Sequence, residues 1–332
     1  MKHSFFHEWG FTIFLTIIGL GLGFIVGGPV GLYLVTLLAI LEVSLSFDNA
    51  VVNAKILETM DEVWQKRFLT WGIFIAVFGM RFLFPLLIVG IASHINIIEA
   101  LDLALHNPEK YKEVLEGSIN YVYAFGGAFL LMVALDFFLE EDKEIHWIKF
   151  IENNKVITNL GKIPAIEIII AVGLGLVLTY ITKDYVISLA YFSGVFLYSL
   201  INSIDEVLGT DGVRNGLVGL LYLEILDASF SFDGVIGAFA ISMNIIIIML
   251  GLGIGALFVR SLTLYFVRTK KLSEYIYLEA GAHYAIAALA IIMFLKMFYH
   301  IPEVVSGTIG ITFIGLSFLS SLKEKKLANH KN

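Results

Sequence analysis

Two short stretches carry acids where an apolar chain should have none. Leu41-Glu42-Val43-Ser44-Leu45-Ser46-Phe47-Asp48-Asn49 and Leu226-Asp227-Ala228-Ser229-Phe230-Ser231-Phe232-Asp233-Gly234 share their Leu, two Ser, Phe and second acid at equal spacing. Each lies inside a long hydrophobic run. A carboxylate at mid-membrane costs roughly 2.5–3.5 kcal/mol on insertion scales, so such acids have partners or a function. Four carboxylates, the serine hydroxyls, the Asn49 amide and any freed carbonyls make a hard, all-oxygen ligand set. That set suits Mg, Ca or Mn, whereas Zn and Cu prefer His and thiolate. No His or Met lies within either motif, and the chain has no cysteine. Four negative charges exceed what one divalent ion neutralises. Some carboxyls must hold protons in the empty site, or pair with Arg81 or Arg260. A charge that alternates between metal and proton is the physical basis of exchange.

Within each motif the acids are six residues apart. On a straight helix they would stand roughly 120° apart around the axis and about 9 Å along it. One straight helix would not aim both at one ion. A local break at Ser44, Leu45 and Ser46 would swing Glu42 and Asp48 together and free carbonyls, which is tolerated where backbone lines a cavity. The bland alternative is that these serines are small residues for helix packing. Ser44, Ser46, Ser229, Ser231, Arg81 and Arg260 are therefore supporting candidates around Glu42, Asp48, Asn49, Asp227 and Asp233.

The elements that must hold these residues are membrane spans. The 332 residues are 58% hydrophobic and 15% charged, with net charge -7 and a mean hydropathy of +0.86. A soluble fold cannot hide that much apolar surface, and no basic domain exists to hold nucleic acid. A span needs about 20 apolar residues. Ten runs qualify, near 11–27, 31–54, 68–93, 119–138, 164–182, 185–204, 216–241, 244–267, 276–299 and 303–321. Gly27-Gly28-Pro29, Lys183-Asp184 and Ser242-Met243-Asn244 break the tightest pairs. The loops 94–118 and 139–163 are too short and polar to be domains.

Loop charge tests this layout. Of the 22 Lys and Arg, Arg81 and Arg260 lie within spans, and only Lys110, Lys112, Lys183 and Lys296 fall on one side. The rest share the side of the termini, including Lys55, Lys66, Arg67 and the basic tail from Lys323. The positive-inside rule then puts both termini in the cytoplasm, and the expected location is a bacterial inner (plasma) membrane. Phe, with 27 residues, reads as lipid-facing filler, and Tyr121, Tyr123, Tyr275 and Tyr277 read as an interface belt.

The two motifs also imply a repeat. Tyr121-Val122-Tyr123 with Gly127-Ala128 echoes Tyr275-Ile276-Tyr277 with Gly281-Ala282, and Arg81 echoes Arg260. Spans two to four map onto seven to nine, a shift of five. Five is odd, so the expected fold is all-α, with ten transmembrane helices in two inverted repeats of five. Residues 1–163 hold the first four spans and the loop after them, and 164–332 hold the rest. The repeat boundary lies near 183, within one integral membrane domain. Transporters of this kind place the site near the midplane between halves.

At these motifs the sequence resembles the TerC family of integral membrane proteins, in an uncharacterised branch, within an exporter superfamily that includes amino-acid exporters. The likeness rests on Glu42, Asp48 and Asn49 in the first half and on Asp227 and Asp233 in the second, closest over about 31–90 and 216–270. The family's second motif commonly continues Asp-Ser-Ile-Pro-Ala, where this chain has Asp233-Gly234-Val235-Ile236-Gly237. The resemblance implies manganese efflux and supply of metal to exported enzymes. The expected function is a secondary transporter exporting a divalent cation in exchange for protons, with manganese first and calcium or magnesium next. No tightly bound cofactor and no enzymatic activity are expected, and the partners are lipid, the ion and protons. The alternatives are export of a cationic organic solute, such as a basic amino acid, and an intramembrane aspartyl-type enzyme. The Gly-x-Gly-Asp pattern of the latter is absent around Asp48 and Asp233, as are a P-loop and His-Glu-x-x-His. Removal of Glu42 or Asp48 is expected to stop transport while leaving folding intact.

Overall fold

The computed structural model describes residues 5–140, 143, 145–207, 216–269, 272 and 275–329. Among them there is no strand, and the chain is an all-α membrane protein. Among the described residues seven helical segments are long and apolar enough to cross a membrane: Trp9–Leu45, Glu62–Ser93, Pro108–Leu139, Tyr185–Ile204, Ile245–Thr269, Leu278–Lys296 and Val305–Lys326. Ile166–Thr182 is a shorter apolar helix.

The helices fall into two compact units, which cut across the sequence halves. The first is Met1–Ile119 with Asn215–Thr269, and the second is Asn120–Arg214 with Lys270–Asn332. Both motifs belong to the first.

In the first unit, helix α1 (Phe5–Leu45) folds back on itself at Gly28, where φ is 60° and ψ is -149°. Only glycine holds that conformation without strain, and Pro29 lacks the N–H that a continuing helix would use. The arms 5–27 and 29–45 therefore form a hairpin, and a Cβ on Gly31 would collide with the Gly23 carbonyl. A further break of one residue, Ser46, separates α1 from α2 (Phe47–Glu58). The bonds Ser46 N→Glu42 O and Ala50 N→Ser46 O, 2.9 and 3.2 Å, carry the chain across it. The expected break is thus a kink rather than an unwound stretch.

Next comes one long span built of α3 (Glu62–Phe74), a π-helical segment (Ile75–Leu83) and α4 (Phe84–Ser93). Pro85 sits at the start of α4 and cannot donate to the carbonyl four residues back, so the turn before it widens. Helix α5 (Ile97–His106) follows, closed by a capping box in which Asn96 and Glu99 exchange bonds. Then comes α6 (Pro108–Leu139). After the intervening elements of the second unit, α11 (Gly216–Ile241) and α12 (Ile245–Thr269) complete the first.

Both arms of α1 lie on α12. Thr12 meets Ser261 through a 2.6 Å hydroxyl bond, Gly19 packs on Ile254 and Gly27 on Ile247, so the first arm runs against α12. The second runs along it, with Leu38 at Gly251 and Glu42 at Gly255. Gly251 and Gly255 are the small residues that permit this approach, while Gly253 faces Val77 of the neighbouring span. Glu42 also lies against Gly234 and Asn49 against Asp227, so the chain through Glu42 and α2 runs antiparallel to α11 in one register.

The second unit holds the C-terminal part of α6, with α7 (Lys149–Glu152), α8 (Lys155–Leu160), α9 (Ile166–Thr182), α10 (Tyr185–Val207), α13 (Leu278–Lys296) and α14 (Glu303–Asn329). Tyr191 donates across the α9–α10 hairpin to the Ala171 carbonyl at 2.7 Å. The short helices α7 and α8 occupy the loop expected over 139–163. There the buried Glu152 carboxylate forms an ion pair with the Lys143 amine at 2.6 Å and accepts the backbone N–H groups of Trp147 and Ile148. Two expectations change here. Phe68, Phe129 and Phe239 are fully buried core residues rather than lipid-facing filler, and Tyr123 is buried rather than part of an interface belt.

Candidate functional site

Glu42 lies in the last turn of α1 and is 1% exposed. Its packing explains why the neighbouring positions are glycine. A Cβ on Gly234 would lie 2.7 Å from Glu42 Oε2, and one on Gly255 would collide with the side-chain stem. In that notch Oε1 accepts Arg81 Nη2 at 2.5 Å and the Ser46 hydroxyl at 3.0 Å. Arg81 comes from the π-helical segment and also donates to the Ala76 carbonyl at 2.6 Å. It lies within Coulombic reach of Asp227 and Glu224.

Asp48 and Asn49 sit in the first turn of α2, both buried. Asp48 accepts the backbone N–H of Asn49 at 3.0 Å. The Asn49 side-chain amide donates to Asp227 Oδ1 across to α11. One motif thus grips the other through an amide and a carboxylate. Asn49 Oδ1 is left buried with no hydrogen-bond partner, and so is Oδ1 of Asn53, one turn further on.

A second buried ion pair lies beside the first. Glu224 accepts Arg260 Nη2 at 3.0 Å (Oε1) and 3.3 Å (Oε2). Arg260 also donates to the Gly72 carbonyl at 2.7 Å, and its guanidinium stacks 3.8 Å over the Phe68 ring. Gly72 is small by necessity, since a Cβ there would meet Glu224 Oε1 at 2.5 Å.

The structure therefore joins Glu42, Ser46 and Arg81, and joins Asn49 with Asp227. Ser44 is not part of the site: it is exposed and its hydroxyl returns to the Ile40 carbonyl. Ser229 likewise bonds the Ile225 carbonyl. The second motif shows no kink, because α11 runs unbroken through it. The side chains of Ser231 and Asp233 lie outside the described residues. Among the described residues, no three acidic or His side chains come together in a metal-holding group. The arrangement is one of paired charges, with a guanidinium on each of two carboxylates.

Sequence reasoning missed Glu224 and Asn53. Glu224 is an acid in an apolar run, three residues before Asp227, and that alone was a signal. Aligning the motifs hid it, because its counterpart in the first half is Ala39. Asn53 lies outside the nine-residue motif and carries no sequence mark beyond its four-residue spacing from Asn49.

Fold and site define a polytopic all-α membrane protein with a charged interior in which, among the described residues, carboxylates outnumber guanidiniums. A family model described as "Protein of unknown function (DUF475)" matches residues 47–328, and the chain belongs to that family. No curated protein and no solved structure matches it.

Proposed function

We propose that the chain is a secondary transporter that exports a divalent cation, manganese first, in exchange for protons. The observation that carries this reading is the charge of the buried site. Four buried acids, Glu42, Asp48, Glu224 and Asp227, share the first unit with two buried guanidiniums, Arg81 on Glu42 and Arg260 on Glu224. With all four acids ionised, these described side chains leave a net charge of -2. One divalent cation, or two protons, completes neutrality. The ligand atoms are all oxygen, which suits Mn, Ca or Mg.

In this reading Arg81 and Arg260 are tethered cations that hold Glu42 and Glu224 when no substrate is present. A divalent cation draws on Asp227, Asp48 and the Asn49 oxygen, and protons leave as it binds. A second reading has one specific support. Glu42 and Glu224 already bind guanidinium groups, so a basic amino acid could present the same chemistry. An aspartyl enzyme finds less support, because Asp48 and Asp227 are each tied to Asn49.

We further propose ten crossings in two inverted repeats, resembling the TerC family, with both termini in the cytoplasm of a bacterial inner membrane. Ten follows if the Trp9–Leu45 stretch crosses twice through its Gly28 bend and α9 and α11 cross as well. The antiparallel register between the two motifs supports the inversion. The reading is tested by loading proteoliposomes with a metal dye and comparing Mn, Ca, Mg and Zn with and without a proton gradient. Flux of Mn driven by the gradient supports it. Flux of lysine or arginine with no metal flux moves the assignment to an organic-cation exporter.

A further inference from the structure

The sequence motif ends at Asn49, but the buried oxygens do not. Asn53 is 2% exposed and its Oδ1 has no hydrogen-bond partner. Asn49, one turn before it, is fully buried with the same orphaned oxygen. Residues four apart share a helix face, and the Asn49 side chain reaches Asp227 on α11. The seam between α2 and α11 is in antiparallel register, with Glu42 at Gly234 and Asn49 at Asp227. The same register carried one turn further places Asn53 level with 223–224, where Glu224 stands. Two amide oxygens that accept from nothing therefore line up with two carboxylates along one seam. A buried acceptor without a donor costs stability unless something supplies the missing positive charge.

We propose that Asn53 is a cation ligand. With Asn49 Oδ1 and the carboxylates of Asp227 and Glu224 it forms an oxygen-lined station, one turn beyond the motif. Helix α2 leads from Asn53 towards Lys55, Lys66 and Arg67, the side expected to be cytoplasmic. An exporter needs its loading station on that side. Arg260, which holds Glu224, is then the positioning residue that yields the carboxylate when the ion arrives. This inference rests on the transporter reading and adds a ligand and a direction to it.

The test uses the full-length protein purified in detergent, with Mn²⁺ binding followed by loss of the free-ion electron paramagnetic resonance signal. Thermal melting without metal is recorded in parallel. Asn53→Leu should weaken Mn²⁺ binding at least about tenfold, as loss of a metal-site group does. Its melting temperature without metal should hold or rise, because an unsatisfied oxygen has been removed. Asn53→Asp should bind at least as tightly as wild type. If Asn53→Leu does not accumulate, Asn53→Ala against Asn53→Asp carries the same comparison. Wild-type affinity in Asn53→Leu or Asn53→Ala overturns the ligand assignment and leaves the transporter reading standing. Absence of Mn²⁺ binding by the wild type removes the transporter reading itself.

Discussion

Replacing Glu42 with Ala strands a guanidinium. Arg81 is 1% exposed, and Glu42 is the carboxylate that it touches, at 2.5 Å. Breaking a buried ion pair from one side costs about 3–5 kcal/mol, because the remaining charge is uncompensated. Asp227 lies within Coulombic reach of Arg81 and softens the loss, which places the expected value near the lower end. For a folding unit of this size, each kcal/mol moves Tm by about 2–4 °C, so Glu42→Ala should melt roughly 6–12 °C below wild type. The pair changes the expectation that this acid can be removed without consequence for folding. The decisive comparison is Glu42→Leu with Arg81→Met in one chain. Replacing both charges by apolar groups of similar volume is often neutral or stabilising, so the double variant should recover most of the lost Tm. The assay is intrinsic-fluorescence melting of purified protein. A Glu42→Ala variant that melts with wild type, or a double variant no better than it, would refute the buried pair.

Other substitutions test neighbouring parts of the account. Gly255→Ala should lower stability by about 1–3 kcal/mol, since its Cβ collides with the Glu42 stem and the chain must shift. A melting temperature equal to wild type would mean that α1 does not sit on α12 as described. In the second unit, burial opposes ionisation of Glu152, but the Lys143 amine and the Ile148 N–H outweigh it. They hold the carboxyl below its ordinary 4.5. The folded value is lowered, so this group stabilises the fold above about pH 4.5, and that contribution is lost as pH falls through the folded value. The Tm advantage of wild type over Glu152→Gln should therefore shrink in acid; an advantage that stays flat down to about pH 3 sinks the assignment.

Much of the helix layout was legible because its boundaries are made by local turn chemistry. Gly28 carries the positive φ at the expected break. At Lys183-Asp184 the lysine closes α9 in the left-handed region, and Asp184 Oδ1 accepts the Val186 N–H at 2.8 Å. Asn244 caps α12 through the Ile246 N–H at 3.0 Å. Helices α5, α7 and α8 escaped notice because a search for 20-residue apolar runs passes over short helices. The Asn96–Glu99 capping box would have revealed α5. In the site, burial of Glu42, Asp48 and Asp227 was readable from acids in apolar sequence. Their partners were not, because pairing depends on which helices become neighbours. Arg81 meets an acid 39 residues away and Arg260 one 36 residues away, and neither spacing is a motif. The interleaving of the sequence halves between the two compact units was hidden for the same reason.

On the proposed function, the net charge of -2 on the described buried side chains is neutralised either by one divalent cation or by two protons. This is tested most directly in proteoliposomes carrying an internal manganese dye and an internal pH dye, read together as a Mn²⁺ gradient is imposed. The account predicts that Mn²⁺ entry drives proton exit at about two protons per ion, with little dependence on membrane voltage. In Asp227→Asn vesicles both signals should vanish, because the proposed cation ligand is lost, and the Asn49 amide no longer meets a carboxylate. Manganese entry with a silent pH dye, or full exchange by Asp227→Asn, would contradict it.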